Sequence, residues 1–164
     1  AKVGSKYARH LASPFMRVAP KVLAHKATSG AVIRSSPGKT TTVLGNWQRD
    51  MQHVIKEVGS KPGTVAQNMA QKPNGFNVLN VEKSIQEGMS EEQFWREVEV
   101  PWLNESIARG DSFEYASTIT SSMFFRDSGE MKFFGREMAF LLERGALDPT
   151  TAQQVERVLR AGPP

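Results

Sequence analysis

Ten side chains in this sequence are candidates to move protons or to hold phosphate charge. They are Asp50, His53, Lys72, Arg109, Asp111, Tyr115, Thr118, Thr120, Arg136 and Glu137. Cleaving a ribonucleotide backbone without a metal needs a base near the 2′-hydroxyl, an acid near the departing 5′-oxygen, and donors facing the phosphate. Each residue also has an ordinary structural use. Arg109-Gly110-Asp111 can close a helix and open a strand, with the basic residue matching a helix C-terminus. Arg136 and Glu137 can be plain helix surface, and Thr118 and Thr120 can be strand residues chosen for propensity. Trp47, in the first turn of a helix, suits a core or offers a stacking face for a base.

Metal chemistry has little to build on. There is no cysteine, so thiolate ligands, disulfides and cysteine catalysis are excluded. The histidines are His10, His25 and His53, and none has a second ligand at a recognised zinc spacing. Asp50 and His53 stand three apart, a pairing that more often marks a solvated helix face. No metal and no cofactor are expected.

The elements that must position these groups follow from periodicity. Thr41 to Leu44 is β-branched and apolar, which favours a strand. Asn46 then caps a helix expected over 46–58, with Trp47, Met51, Val54, Ile55 and Val58 as one buried stripe. Asp50 falls at the edge of that stripe. Phe76 to Asn80 reads as a short strand. Ser90-Glu91-Glu92-Gln93 is a capping box ahead of Phe94, Trp95 and Val98. Pro101 is expected to end or kink that helix, and a second one runs to Gly110. Residues 111–119 favour a strand, Met123 to Phe125 its hairpin partner or continuation, and Met131 to Phe133 a further strand. Phe134 to Arg144 is a helix with Phe134, Met138, Leu141 and Leu142 inward. Asp148-Pro149 caps a last helix. Trp47-x-Arg49-Asp50-Met51 and Phe134-x-Arg136-Glu137-Met138 echo each other, each with a carboxylate at the stripe edge.

Charge divides the chain. Residues 1–49 carry nine Lys or Arg and no Asp or Glu, while 50–164 carry twelve against seventeen. A wholly basic arm suits an anionic partner or serves as a solvated linker. It holds two weak helical stretches, at 3–11 and from Ser13-Pro14 onward. Ser35-Ser36-Pro37-Gly38-Lys39-Thr40 lacks the first glycine of a phosphate loop. No apolar run approaches the roughly 18 residues a membrane helix needs, so stable membrane insertion is not expected. The chain opens on Ala1 and is expected to be a fragment or a processed product. The expected division is a basic N-terminal segment over 1–40 and one domain over 41–164.

Several motifs in order carry a resemblance. They are Thr-Thr-Val-Leu-Gly-x5-Met-x2-Val-Ile (41–55), Gly75-Phe76-Asn77-Val78-Leu79-Asn80, Phe94-Trp95, Pro101-Trp102-Leu103-x3-Ile107-Ala108-Arg109-Gly110-Asp111 and Phe134-Gly135-Arg136-Glu137. Over roughly residues 41–145 this resembles the C-terminal toxin modules of bacterial polymorphic toxins, including contact-dependent growth inhibition effectors and haemagglutinin-like and Rhs proteins. The resemblance implies a domain secreted or displayed as part of a larger protein. It would act in the target-cell cytoplasm and be neutralised by a cognate immunity protein. Many such modules are RNases of the barnase–EndoU–colicin E5–RelE type, an α+β fold with N-terminal helices packed on a small antiparallel sheet. An EndoU histidine pair is absent, since His53 is the only histidine after residue 40.

The resulting expectation is an α+β toxin domain, with C-terminal helices, that cleaves RNA (tRNA above all) without a metal. Asp50 or Glu137 would transfer protons, Arg109 and Arg136 would stabilise phosphate, and Thr118 or Thr120 would position it, with Asp111 beside them. Trp47, His53, Lys72 and Thr120 would contact substrate. A host activator is a further expected class of partner. Two other classes stay open: an NAD-consuming toxin (glycohydrolase or ADP-ribosyltransferase) and a non-enzymatic binding module.

Overall fold

The computed structural model describes residues 39–51, 76–79 and 86–164. The expected N-terminal helices, the basic segment, the later part of the 46–58 helix, His53 and Lys72 lie outside the described residues. In chain order the elements are β1 (Thr41–Leu44), a wide helical turn (Trp47–Met51), β2 (Phe76–Asn77) and α1 (Glu91–Phe94). A second wide turn (Trp95–Glu99), α2 (Val100–Arg109), β3 (Ser112–Tyr115), α3 (Ser121–Phe124), α4 (Phe133–Glu143) and α5 (Pro149–Ala161) follow. The mixture of helix and strand expected from the sequence is present.

The chain gathers into two compact units. The first holds Lys39 and Thr40 with the described part of 73–111; the second holds 41–51 and 112–164. In the first unit, Ser90 caps α1, its hydroxyl accepting from the Gln93 amide at 3.1 Å, as the capping box predicts. Pro101 stands in the first turn of α2, where a second helix is expected to start. The chain widens just before it, and the Val100 N–H donates to the Trp95 carbonyl five residues back. That wide turn makes room for a ring that would otherwise press on the preceding turn, so α2 continues without interruption. Val78, Phe94, Val98, Trp102 and Leu103 form the buried apolar set of this unit. The buried Asn77 amide donates to the Ser106 hydroxyl at 3.3 Å. Gly110, at φ 77°, ends α2 in the left-handed region that suits glycine.

The second unit is built on a parallel pair. β1 runs alongside β3 with Thr41 opposite Ser112 and Leu44 opposite Tyr115. This corrects the expected antiparallel sheet. All four β1 residues are buried, from Thr42 at 0% exposure to Thr41 at 7%. Burial on both faces and a β-branched run are the marks of a parallel strand. A parallel partner also needs a long crossover, and residues 45–111 supply it.

The strand expected over 111–119 ends at Tyr115, and Met123-Phe124 is not its hairpin partner. Met123 and Phe124 are adjacent and both buried, which one helical turn allows and a strand facing a single core does not. Phe124 meets Phe134 edge to face, with centroids 5.5 Å apart. The expected strand over 131–133 reduces to one antiparallel bridge, Phe125 to Met131. The helix then begins at Phe133, one residue before the expected start. Phe134, Met138, Leu141 and Val155 complete the core with Val43, Leu44 and Met51.

Candidate functional site

The second unit brings loops together where its two parallel strands end. β1 delivers the chain at Leu44 into Gly45-Asn46, and β3 delivers it at Tyr115 into 116–120. The Ala116 N–H still donates to the Leu44 carbonyl at 2.8 Å, which ties the two exits together. Gly45 permits the close approach. A Cβ there would lie 3.1 Å from Ala116 Cβ, Met51 Sδ and Ser117 Oγ.

Asn46 organises the turn that follows. Its side-chain oxygen accepts from the Arg49 N–H at 3.2 Å, as expected of an N-cap. Its carbonyl accepts from both Asp50 (2.9 Å) and Met51 (3.0 Å), which makes the turn wide. Met51 is thereby drawn into the core, at 3% exposure, and Asp50 is left half-buried. The Asn46 N–H points across to the segment after β3 and donates to Ser117 Oγ at 2.7 Å. Ser117 Oγ in turn donates to Asp50 Oδ2 at 2.5 Å. A hydroxyl held between a backbone N–H and a carboxylate is fixed in position, with its proton directed at the carboxylate.

Ser117 lines a cavity of about 520 Å³ together with Tyr115, Thr118, Ile119, Thr120, Gln154, Arg157 and Val158. The volume lies within the range of small-molecule sites. Thr118 and Thr120 stand 3.4 Å apart through their hydroxyls. The opposite wall is α5, where Gln154, Arg157 and Val158 share one face by their three- and four-residue spacing. Asp148 caps α5 by accepting from the Thr151 N–H at 3.1 Å. At the other end, the Ser121 hydroxyl donates to the Gly162 carbonyl. Burial, then the Asp148 and Glu114 charges, push the Tyr115 phenol well above its ordinary pKa, against a hydrogen bond from Thr151. Tyr115 therefore stays a neutral donor across the physiological range.

Asp50, Thr118 and Thr120 are thus gathered around one place, two of them on the cavity wall and Asp50 behind Ser117. Arg136 and Glu137 stand on α4, half-buried and buried (6% exposed) respectively, and neither lines this cavity. Trp47 lies in the wide turn after β1. Arg109 and Asp111 belong to the first unit. The Asp111 side chain is wholly buried and pairs with Arg109 at 2.6 and 3.2 Å. It also accepts from the Thr40 N–H at 3.0 Å. Arg109 further holds Glu105 at 2.8 Å. Among the described residues, no three His, Asp or Glu side chains converge as metal ligands. Nor is any helix among them long and apolar enough to cross a membrane.

In the sequence Ser117 is only one position of the strand expected over 111–119, and Gln154 and Arg157 are not among the candidate residues. The signal for Ser117 lay in a fully buried strand followed directly by Gly45-Asn46, because ligand loops gather at the carboxyl ends of parallel strands. Nothing local marks Gln154 or Arg157, which read as ordinary exposed positions of an amphipathic helix. No family model matches the chain, and neither a characterised protein nor a solved structure shows significant similarity to it.

Proposed function

We propose that this chain is the toxic module of a larger bacterial effector and cleaves RNA, tRNA above all, without a metal. Its place of action is the cytoplasm of a neighbouring cell, and its partners are a cognate immunity protein and, in the target, a host activator. The observation that carries the reading is Ser117, which lines a cavity beyond the end of β3 and whose Oγ is held between the Asn46 N–H and the Asp50 carboxylate. Asp50 is the base and acts through Ser117. As Ser117 takes the proton of a 2′-hydroxyl, its own proton passes to Asp50. The 2′-oxygen then bonds to phosphorus, the bond to the 5′-oxygen breaks, and that oxygen takes a proton from water at the open mouth. Tyr115 is too weak an acid for that last transfer and serves as a neutral donor. Thr118 and Thr120 position the phosphate. The ion pairs of Arg109 and Asp111 give those two a structural role in this scheme.

The test is cleavage of end-labelled tRNA by the purified chain in excess chelator. The expected products carry a 2′,3′-cyclic phosphate, and Asp50→Asn slows cleavage by about 10²–10⁴-fold, the usual worth of a general base. Products ending in a 3′-hydroxyl, or activity abolished by the chelator, would contradict the scheme. A second reading, an NAD-consuming toxin, is favoured by the same parallel strands, whose carboxyl ends commonly hold nucleotide cofactors. It requires NAD loss with RNA intact.

A further inference from the structure

The cavity wall has an uneven chemistry. It presents one guanidinium, from Arg157, an amide from Gln154, hydroxyls from Thr118 and Thr120 and the neutral phenol of Tyr115, but no carboxylate. Among the described residues, no Asp or Glu pairs with Arg157, in contrast to Arg109, which two carboxylates hold. A wall with a cation and no acid selects an anion, and a guanidinium gives phosphate a planar, two-point contact. The remaining space is lined by the hydroxyl and amide groups and, over most of its area, by apolar atoms, with Ile119 and Val158 among the lining residues, which is more than a bare anion needs.

We infer that this cavity is a nucleotide site. Arg157 of α5 and the two threonine hydroxyls take a phosphate monoester, Gln154 takes the sugar, and the Tyr115 and Val158 side takes the base. The inference deepens the nuclease reading and rests on it for the biological substrate. It also makes the last helix, absent from every sequence-derived site, one half of the binding wall. The Ser121 contact to Gly162 and the Asp148 cap fix both ends of that half.

The test is calorimetric titration of the whole chain with the four nucleoside 5′-monophosphates, with the matching nucleosides and with inorganic phosphate. At least one monophosphate is expected to bind more tightly than phosphate alone and at least tenfold more tightly than its nucleoside. Arg157→Gln should weaken that binding at least tenfold. Arg160→Gln, an exposed change on the same helix and off the cavity wall, should leave it unchanged. Circular dichroism confirms that both variants are folded. Equal binding by wild type and Arg157→Gln, no binding by wild type, or phosphate binding as tightly as every nucleotide would each overturn the inference. The same preparations are assayed on tRNA. Nucleotide binding that depends on Arg157 with tRNA left intact upholds the site and removes the nuclease reading. Cleavage with binding indifferent to Arg157 does the reverse.

Discussion

Replacing Gly135 by alanine should destabilise the second unit, although alanine is the better helix former. Gly135 is the third residue of α4 and is buried. A Cβ there would lie 2.6 Å from the Phe124 carbonyl oxygen, 3.0 Å from its Cα and 3.1 Å from its Cβ. The obstacle is largely backbone, and it is anchored. The same carbonyl accepts from the Lys132 N–H at 2.8 Å, and the Phe124 ring is fully buried against Phe134. Neither helix can yield without disturbing that contact. Overpacking a tight core costs about 1–3 kcal/mol, and a backbone obstacle puts this site at the upper end. Helix propensity returns about 1 kcal/mol on exchanging glycine for alanine. The net loss should be about 1–2 kcal/mol, each kcal/mol lowering the melting temperature by roughly 2–4 °C for a chain of this size. Urea titration followed by circular dichroism measures it, with a lower midpoint and an unchanged slope expected. An unchanged or higher midpoint would mean that propensity outweighs contact, and that α3 and α4 do not meet as described.

Other expectations follow from the same geometry. Asp111→Ala leaves the Arg109 guanidinium without its buried partner and should cost about 3 kcal/mol, seen as a lower urea midpoint; a shift under about 0.5 kcal/mol would contradict a structural role. Tyr115 has a folded-state pKa raised above its unfolded value of 10.0, so stability is full below pH 10 and declines as pH rises beyond it. Absorbance of the two tyrosines against pH should show one ionising only with alkaline unfolding, and Tyr115→Phe should remove that phase. Asp148 has a folded-state pKa lowered from 3.8 by its Thr151 bonds, so its contribution is present above that value and fades as pH falls below it. Asp148→Ala should therefore flatten the acid limb of the stability profile, and an unchanged limb would count against the cap. Ser117→Ala should reduce RNA cleavage nearly as far as Asp50→Asn, with the double variant no worse than either, because the two act as one unit.

Local signals located most elements of the described fold. Buried stripes and caps gave α2, α4 and α5 to within a residue or so, and the start of α1 but not its end at Phe94, because Ser90, Gly110 and Asp148-Pro149 satisfy or end helix termini by their own chemistry. The strand at Thr41–Leu44 was equally legible. Strand direction was not, since parallel pairing with Ser112–Tyr115 depends on what the chain does over 45–111, and no residue in either strand encodes that route. The run after Tyr115 misled because Met123-Phe124-Phe125 has high strand propensity, while burial of neighbouring Met123 and Phe124 against α4 requires a helical turn. At the site, Asp50 was visible as a stripe-edge carboxylate, and Thr118 and Thr120 as hydroxyl donors. Ser117 was read only as a strand position. Its role comes from a contact with Asp50 across 67 residues of sequence, and Arg157 reaches the same cavity only through the packing of α5.

The central claim, that the chain destroys RNA through the Asp50–Ser117 pair, is tested most directly in cells. Residues 41–164 and the Asp50→Asn variant are each induced briefly in bacteria, with total RNA resolved on a gel and NAD measured in the same culture. The account predicts discrete tRNA fragments with NAD unchanged, and intact RNA with the variant. Fragments that persist in Asp50→Asn, or intact RNA with NAD depleted, would contradict it.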